Sequence, residues 1–148
     1  MENFEPEIVA FCCHYCAYTA ADMAGSKRIS YPPNVKIIRV PCTGKVDAIH
    51  IMKALEKGAD GVYVAGCLEG DCHFKNGNTR ARYRVEHVQK YLEELGWETD
   101  RVAMINMSAG MGEFFARTAL EFTQKIKLLG PSPIKRINID KNQKAVSE

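Results

Sequence analysis

Gly61–His73 reads GVYVAGCLEGDCH, and this stretch decides the fold. Val62-Tyr63-Val64-Ala65 is a short apolar run bounded by glycines, the pattern of a parallel strand covered by helices on both faces. The run then delivers Cys67 and Cys72 into a turn containing Gly66 and Gly70. Soft ligands in a glycine loop at a strand end point to a metal or redox site, because glycine lets the backbone fold closely around a ligand. Two other strand-like runs also finish in cysteine: Ile8-Val9-Ala10-Phe11 leads into Cys12-Cys13-His14-Tyr15-Cys16, and Val35–Val40 leads into Pro41-Cys42.

Working outward, Ala17–Gly25 is alanine-rich and closes with glycine, which predicts a short helix able to pack close to a sheet. Pro32-Pro33 forces an extended connection. Lys45–Lys57 reads as a helix with Val46, Ile49, Met52 and Leu55 on its stripe, closed by Gly58. After the loop at residues 73–78, Thr79–Leu95 carries Ala81, Val85, Val88 and Leu92 at helical spacing, and Gly96 stops it. Arg101–Met107 is a fourth strand. Met111–Leu129 is a last helix, with Phe115, Ala119, Phe122, Ile126 and Leu129 on one face and Gly130-Pro131 at its end. Residues 131–148, rich in Lys, Arg and Asn, read as an extended C-terminal tail that is ordered only against a partner.

The order β-α-β-α-β-α-β-α predicts an α/β fold: a single domain over residues 1–130, built on an open parallel sheet of about four strands with helices on both faces. The expected architecture is flavodoxin- or Rossmann-like. Right-handed crossovers make all the strands point one way, so their carboxyl ends share one edge, where open α/β sheets hold their ligands.

Composition bounds the function. The chain has 148 residues, 46% hydrophobic and 26% charged, enough for one core without staples. A formal net charge of +2 gives no footprint for nucleic acid. No segment reaches the roughly 18 consecutive apolar residues of a membrane span. The opening MENFEPE lacks the apolar core of a signal peptide, so the expected location is cytoplasmic. In a reducing cytosol the six cysteines read as metal ligands, redox thiols or core fillers rather than disulfides.

Their placement favours ligands. Cys13 and Cys16 follow the first strand, Cys42 the second, Cys67 and Cys72 the third; none falls in the later helices or the fourth strand. Cys12 alternates away from Cys13 along the strand and reads as a plain buried side chain. Sets of four thiolates suit an iron–sulfur cluster or a structural zinc. Irregular spacing favours [2Fe–2S] over zinc, which usually takes paired Cys-x-x-Cys knuckles. Cys13-His14-Tyr15-Cys16 at the start of a helix also fits a thioredoxin-like dithiol, the alternative being a thiol–disulfide oxidoreductase using Cys13 and Cys16. A zinc-stabilised adaptor is a third reading.

Other residues read as ordinary. His14 and His73 are loop histidines beside cysteines, and Asp71 is a turn or capping residue. Arg80, Arg82 and Arg84 form a solvated helix face, with a docking surface as the other reading. Glu113 complements a helix dipole. The chain shows no dinucleotide-type glycine cradle, no nucleophile elbow and no paired catalytic carboxylates.

FCCHYCAYTAADMAG (11–25), YPPNVKIIRVPCTGKVD (31–47), KGADGVYVAGCLEGDCHFKNGN (57–78) and MSAGMGEFF (107–115) together resemble the delta subunit of methyl-viologen-reducing hydrogenase, from about Ile8 to Lys127. This small iron–sulfur protein is found with heterodisulfide reductase in methanogens and some anaerobic bacteria. The resemblance implies a [2Fe–2S] cluster and electron transfer between a hydrogenase, or another electron-donor subunit, and the flavin-containing subunit of heterodisulfide reductase. The family's cysteines fall on Cys13, Cys16, Cys42, Cys67 and Cys72, while Cys12 stands where the family commonly has an aliphatic residue. Five candidates remain for four ligand positions. Cys16 is the weakest, because Cys13, Cys42 and Cys67 each sit directly at a strand end. Partner contact is expected from the loops around Cys67–Asn78 and from the C-terminal tail.

Overall fold

The computed structural model describes residues 4–68, 72 and 76–147. The strands are β1 (Ile8–Cys13), β2 (Val35–Val40), β3 (Gly61–Gly66) and β4 (Val102–Asn106). The helices are α1 (Ala17–Ser26), α2 (Ala48–Glu56), α3 (Gly77–Glu94), α4 (Gly112–Leu129) and α5 (Pro133–Ser147). The strands pair in the order β2-β1-β3-β4, every pair parallel, as the alternation of strands and helices predicts. Among the described residues, no helix is long and apolar enough to cross a membrane.

Strand alternation sorts the side chains into two layers. Ala10, Cys12, Tyr63 and Ala65 face a core completed by Ala17, Ala20 and Ala24 of α1 and by Phe115, Ala119, Phe122 and Ile126 of α4. Phe11, Val62 and Val64 face the opposite layer, filled by Ile51 and Leu55 of α2 and Ala81, Val85, Val88 and Leu92 of α3. The helices therefore lie on both faces of the sheet. The predicted stripes of α3 and α4 are the buried ones. Small residues set the approach of α1 and α4: a Cβ at Gly112 would lie 3.1 Å from the Ala24 nitrogen and 3.2 Å from Met23 Cγ.

Two expectations change. Thr43–Lys45 is a 3₁₀ turn, and α2 starts at Ala48, three residues later than the sequence predicts. Asp47 caps it: its carboxylate accepts the Ala48 N–H at 2.8 Å, and the His50 ring accepts the Asp47 N–H at 2.9 Å. That start rotates the stripe, burying Ile51 with Leu55 and leaving Ile49 55% exposed.

The C-terminal tail is helical rather than extended. Ser132-Pro133 is a helix start, with Pro at the first helical position and the Ser132 hydroxyl accepting the Lys135 N–H at 3.4 Å. The first turn of α5 is anchored at the amino-terminal edge of the sheet. Asp60, fully buried, accepts hydrogen bonds from the Glu7 and Ser132 N–H groups at 2.8 and 2.9 Å and from Lys135 Nζ at 2.7 Å. Arg101, also fully buried, donates to the Asp60 and Pro131 carbonyls at 3.0 and 3.2 Å and to Glu98 at 2.8 Å. Arg136 holds the other Glu98 oxygen at 2.9 Å. A polar sequence with a weak apolar stripe thus becomes ordered through a buried ionic network.

Removing Arg101 breaks its ion pair with Glu98 and strips the donors from the buried Asp60 and Pro131 carbonyls, so Arg101→Ala is expected to cost about 3–5 kcal/mol in urea unfolding; a loss under about 1 kcal/mol would contradict this role. Burial by itself raises the Glu98 carboxyl, but Arg101 and Arg136 outweigh it and bring the group from 4.5 down to about 2. A carboxyl lowered by folding adds stability above its unfolded value, and that stability fades as the pH falls towards the folded one. Glu98→Gln is therefore expected to flatten the decline in stability between pH 4.5 and about 2, read as the urea midpoint against pH.

Candidate metal centre

The direction of chain progression reverses at β1. The connection through α1 places β2 on one side of β1, and the connection through α2 returns to place β3 on the other. The carboxyl ends of β1 and β3 form the crevice where such sheets bind ligands. β1 ends in Cys13, and β3 ends one residue before Cys67. Their sulfurs lie 3.8 Å apart. Cys16, in the turn that opens α1, brings a third sulfur, and all three lie within 4.8 Å of one another. Cys16 is thus part of this group, although it stands three residues past the strand end.

Cys42 and Cys72 form a second group, with sulfurs 3.9 Å apart. Cys42 precedes the 3₁₀ turn after β2, and its Sγ accepts the Gly44 N–H at 3.4 Å. Gly77, at the start of α3, makes the pair possible. A Cβ there would stand 2.1 Å from the Cys42 sulfur, inside any allowed contact, and a tight 3.2 Å from that of Cys72. All five sequence-predicted cysteines are therefore drawn to the carboxyl edge. Cys13, Cys16, Cys42 and Cys67 are buried and Cys72 is half-buried. Cys12 is fully buried, and burial pushes its thiol up to about 12, consistent with a core side chain.

Three further side chains position the backbone that carries the sulfurs. Asn78 donates to the carbonyls of Cys67 and Leu68 at 3.1 and 2.9 Å, and Asn106 donates to the same Cys67 carbonyl at 2.6 Å. Arg84 donates to the carbonyls of Gly44 and Val46, tying α3 to the turn behind Cys42. Arg84 is thus half-buried, not on the solvated face assigned to it, and Arg80 is the exposed one. A polar residue at the start or end of an element, such as Asn78 or Asn106, was the available clue. His14 is exposed and lies against Tyr15 and Tyr18. Glu113 occupies the first turn of α4, as a dipole complement should. Asp71 and His73 lie outside the described residues.

The thiols share protons unequally. Cys13 is brought down to about 5, chiefly by the hydrogen bond from the Cys16 thiol, against burial, with the Tyr15 and Cys16 backbone and the Cys67 thiol adding to it. Cys16 is correspondingly raised. Cys42 is raised by burial first and by the neighbouring Cys72 and Cys13 charges, against the Gly44 N–H. That Cys13 and Cys42 feel one another joins the two groups electrostatically. An ensemble of clustered thiols has one chemistry in common: it binds a soft, thiophilic cation or cluster, which replaces the protons and relieves the crowding of charge. Five sulfurs fit a four-thiolate group with one to spare. Two openings lead to them. One, of about 410 Å³, is lined by Cys42, Lys45, Gly77 and Arg80; the other, of about 210 Å³, by Tyr15, Cys16, Cys67 and Met107.

Comparison with known proteins gives the family. The family model described as methyl-viologen-reducing hydrogenase, delta subunit, matches residues 8–130. The chain is 50% identical over 135 residues to an F420-non-reducing hydrogenase iron-sulfur subunit of Archaeoglobus profundus, covering 91% of this chain and 98% of that protein. It is 44% identical over 131 residues to the vhu-type iron-sulfur subunit of the F420-non-reducing hydrogenase from Methanocaldococcus jannaschii, covering 88% of this chain and 98% of that protein. It is also 38% identical over 133 residues to one chain of the ferredoxin:CoB-CoM heterodisulfide reductase of Methanosarcina mazei, covering 88% of this chain but only 17% of that longer protein. With a match spanning every strand and the cysteines after the first three, the chain belongs to the methyl-viologen-reducing hydrogenase delta subunit family.

Proposed function

We propose that this chain is an electron-transfer protein that holds a [2Fe–2S] cluster on four of Cys13, Cys16, Cys42, Cys67 and Cys72. It passes electrons from a hydrogenase or another donor subunit to the flavin-containing subunit of a heterodisulfide reductase-type complex. The observation that carries the reading is the convergence of thiols from three strand ends, with sulfurs 3.8 and 3.9 Å apart in two adjoining groups. The names of relatives in two classes, hydrogenase iron-sulfur subunits and a heterodisulfide reductase chain, support the direction of the proposal. The bound cluster supplies one-electron exchange.

The protein's part is to hold and tune it. The crowded thiols of Cys13 and Cys67 give up protons on loading. The Gly44 N–H hydrogen-bonded to the Cys42 sulfur offsets negative charge, and the start of α1 beside Cys16 does the same through its dipole. Four of the thiols are buried, while half-buried Cys72 leaves one side close to solvent. Asn78 and Asn106 hold the Cys67 backbone, so Cys67 need not shift when electrons arrive. The reading places the chain in the cytoplasm.

Anaerobically purified protein should contain about two iron atoms per chain and give a paramagnetic signal on one-electron reduction. A colourless protein carrying one zinc would end the proposal. Cys67→Ser is expected to abolish iron retention. A specific observation favours one rival: Cys13, held down to about 5 beside Cys16 at the opening of α1, resembles an activated dithiol. Under that rival, Cys42→Ser would leave thiol exchange nearly intact; under the cluster reading it removes bound iron. Gly77→Ala should weaken iron retention at least about tenfold while the far-ultraviolet circular dichroism stays unchanged, because its methyl group occupies the place of the Cys42 sulfur. Wild-type iron content in that variant would show that Cys42 is not held where the geometry puts it.

A further inference from the structure

Gly44 is engaged at both of its backbone ends. Its N–H points at the Cys42 sulfur, 3.4 Å away, and its carbonyl accepts a hydrogen bond from Arg84. The same Arg84 nitrogen donates to the Val46 carbonyl at 3.0 Å. Two backbone bonds close the turn itself: Lys45 N–H to the Cys42 carbonyl at 2.9 Å, and Val46 N–H to the Thr43 carbonyl at 3.0 Å. A 3₁₀ turn of three residues is weakly held by its own bonds and leaves its last carbonyls without partners. Arg84 takes two of them. Val46 and Asp47 then run extended before α2 begins, so no regular backbone continues the turn and fixes its direction. Packing holds the other side, where a Cβ on Gly44 would stand 3.0 Å from the Gly77 Cα. Gly77 and Arg84 both belong to α3, about two helical turns apart, so one helix borders the Cys42 sulfur and grips the turn behind it.

We infer that Arg84 is a positioning residue for electron transfer: by holding the Gly44 and Val46 carbonyls it keeps the Gly44 N–H aimed at the Cys42 sulfur, and so raises the reduction potential of the group held there. The inference rests on the cluster reading, with Cys42 among the four ligands. An N–H directed at a ligand sulfur offsets negative charge. That offset counts for more once an electron has been added, so it favours the reduced state. Glycine is the most flexible residue, and its amide in a loose turn swings between sulfur and water; fixing its carbonyl removes that freedom. A bond that served only to fasten α3 could fall on any carbonyl of the turn. Here it falls on the residue whose own N–H meets the sulfur.

The test reads two quantities on the iron-loaded chain. One is the midpoint potential, from mediated titration followed by paramagnetic resonance; the other is hydrogen exchange of residues 43–46, by mass spectrometry. Arg84→Met removes both the charge and the donors. At a fixed potential it should move the reduced-to-oxidised ratio at least about threefold toward the oxidised form, which is about 30 mV for one electron. Exchange in the turn should become at least about tenfold faster. Arg84→Lys keeps the charge on a shorter side chain, and should move both readouts in the same direction by less. Lys90→Met, which removes an exposed cation further along α3, should match wild type in both. A wild-type potential in Arg84→Met would overturn the inference. So would a lowered potential with unchanged exchange, or a wild-type potential in Arg84→Lys, since each shows charge acting alone. If Arg84→Met does not fold, Arg84→Lys decides on the same two readouts. Wild-type protein that holds no iron defeats the cluster reading and this inference together, whereas loaded protein whose potential ignores Arg84 defeats this inference alone.

Discussion

Strands that all run the same way put every strand's carboxyl end on one rim, and everything at the sulfur centre depends on that constraint. A parallel sheet satisfies its backbone hydrogen bonds only when each return passes over a face, which forces helices on both sides and leaves the rim to loops. Because β2 and β3 flank β1, residues that follow three different strands come within a few ångströms. The sheet therefore supplies proximity without any compact sequence motif. Thiols brought to sulfur contact distance resist being ionised together, and that repulsion is the driving force for binding a positively charged group in their midst.

Proximity alone leaves the loops free to part, and the surrounding contacts prevent this. Gly77 lets α3 lie against the Cys42 sulfur, while Arg84 on the same helix grips the Gly44 and Val46 carbonyls from behind. Two amide side chains converge on the Cys67 carbonyl from α3 and β4. Each of these bonds is modest, about 1 kcal/mol net, but together they join the ends of three strands and one helix into a single frame. A frame that is rigid before loading loses little conformational freedom on binding and changes little between oxidation states.

The amino-terminal edge carries the opposite arrangement. There Asp60 and Arg101 are fully buried, satisfied on every side, and fasten α5 to the sheet. The anchor of α5 lies at the edge remote from the cysteines.

Much of this was legible in the residues alone. Apolar runs bounded by glycine and the stripes of α3 and α4 are local patterns, governed by the pitch of a strand or helix, and they determined the elements, the parallel sheet and the five cysteines at strand ends. What remained depended on residues far apart in the chain. The order β2-β1-β3-β4, the division of the sulfurs into a group of three and a pair, the inclusion of Cys16, and the backbone clamps of Arg84, Asn78 and Asn106 are all non-local. The helical tail escaped because its apolar stripe is weak and its order comes from Asp60 and Arg101. Periodicity reports which way a side chain faces on its own element; only the packed chain decides which distant carbonyl, carboxylate or sulfur it meets.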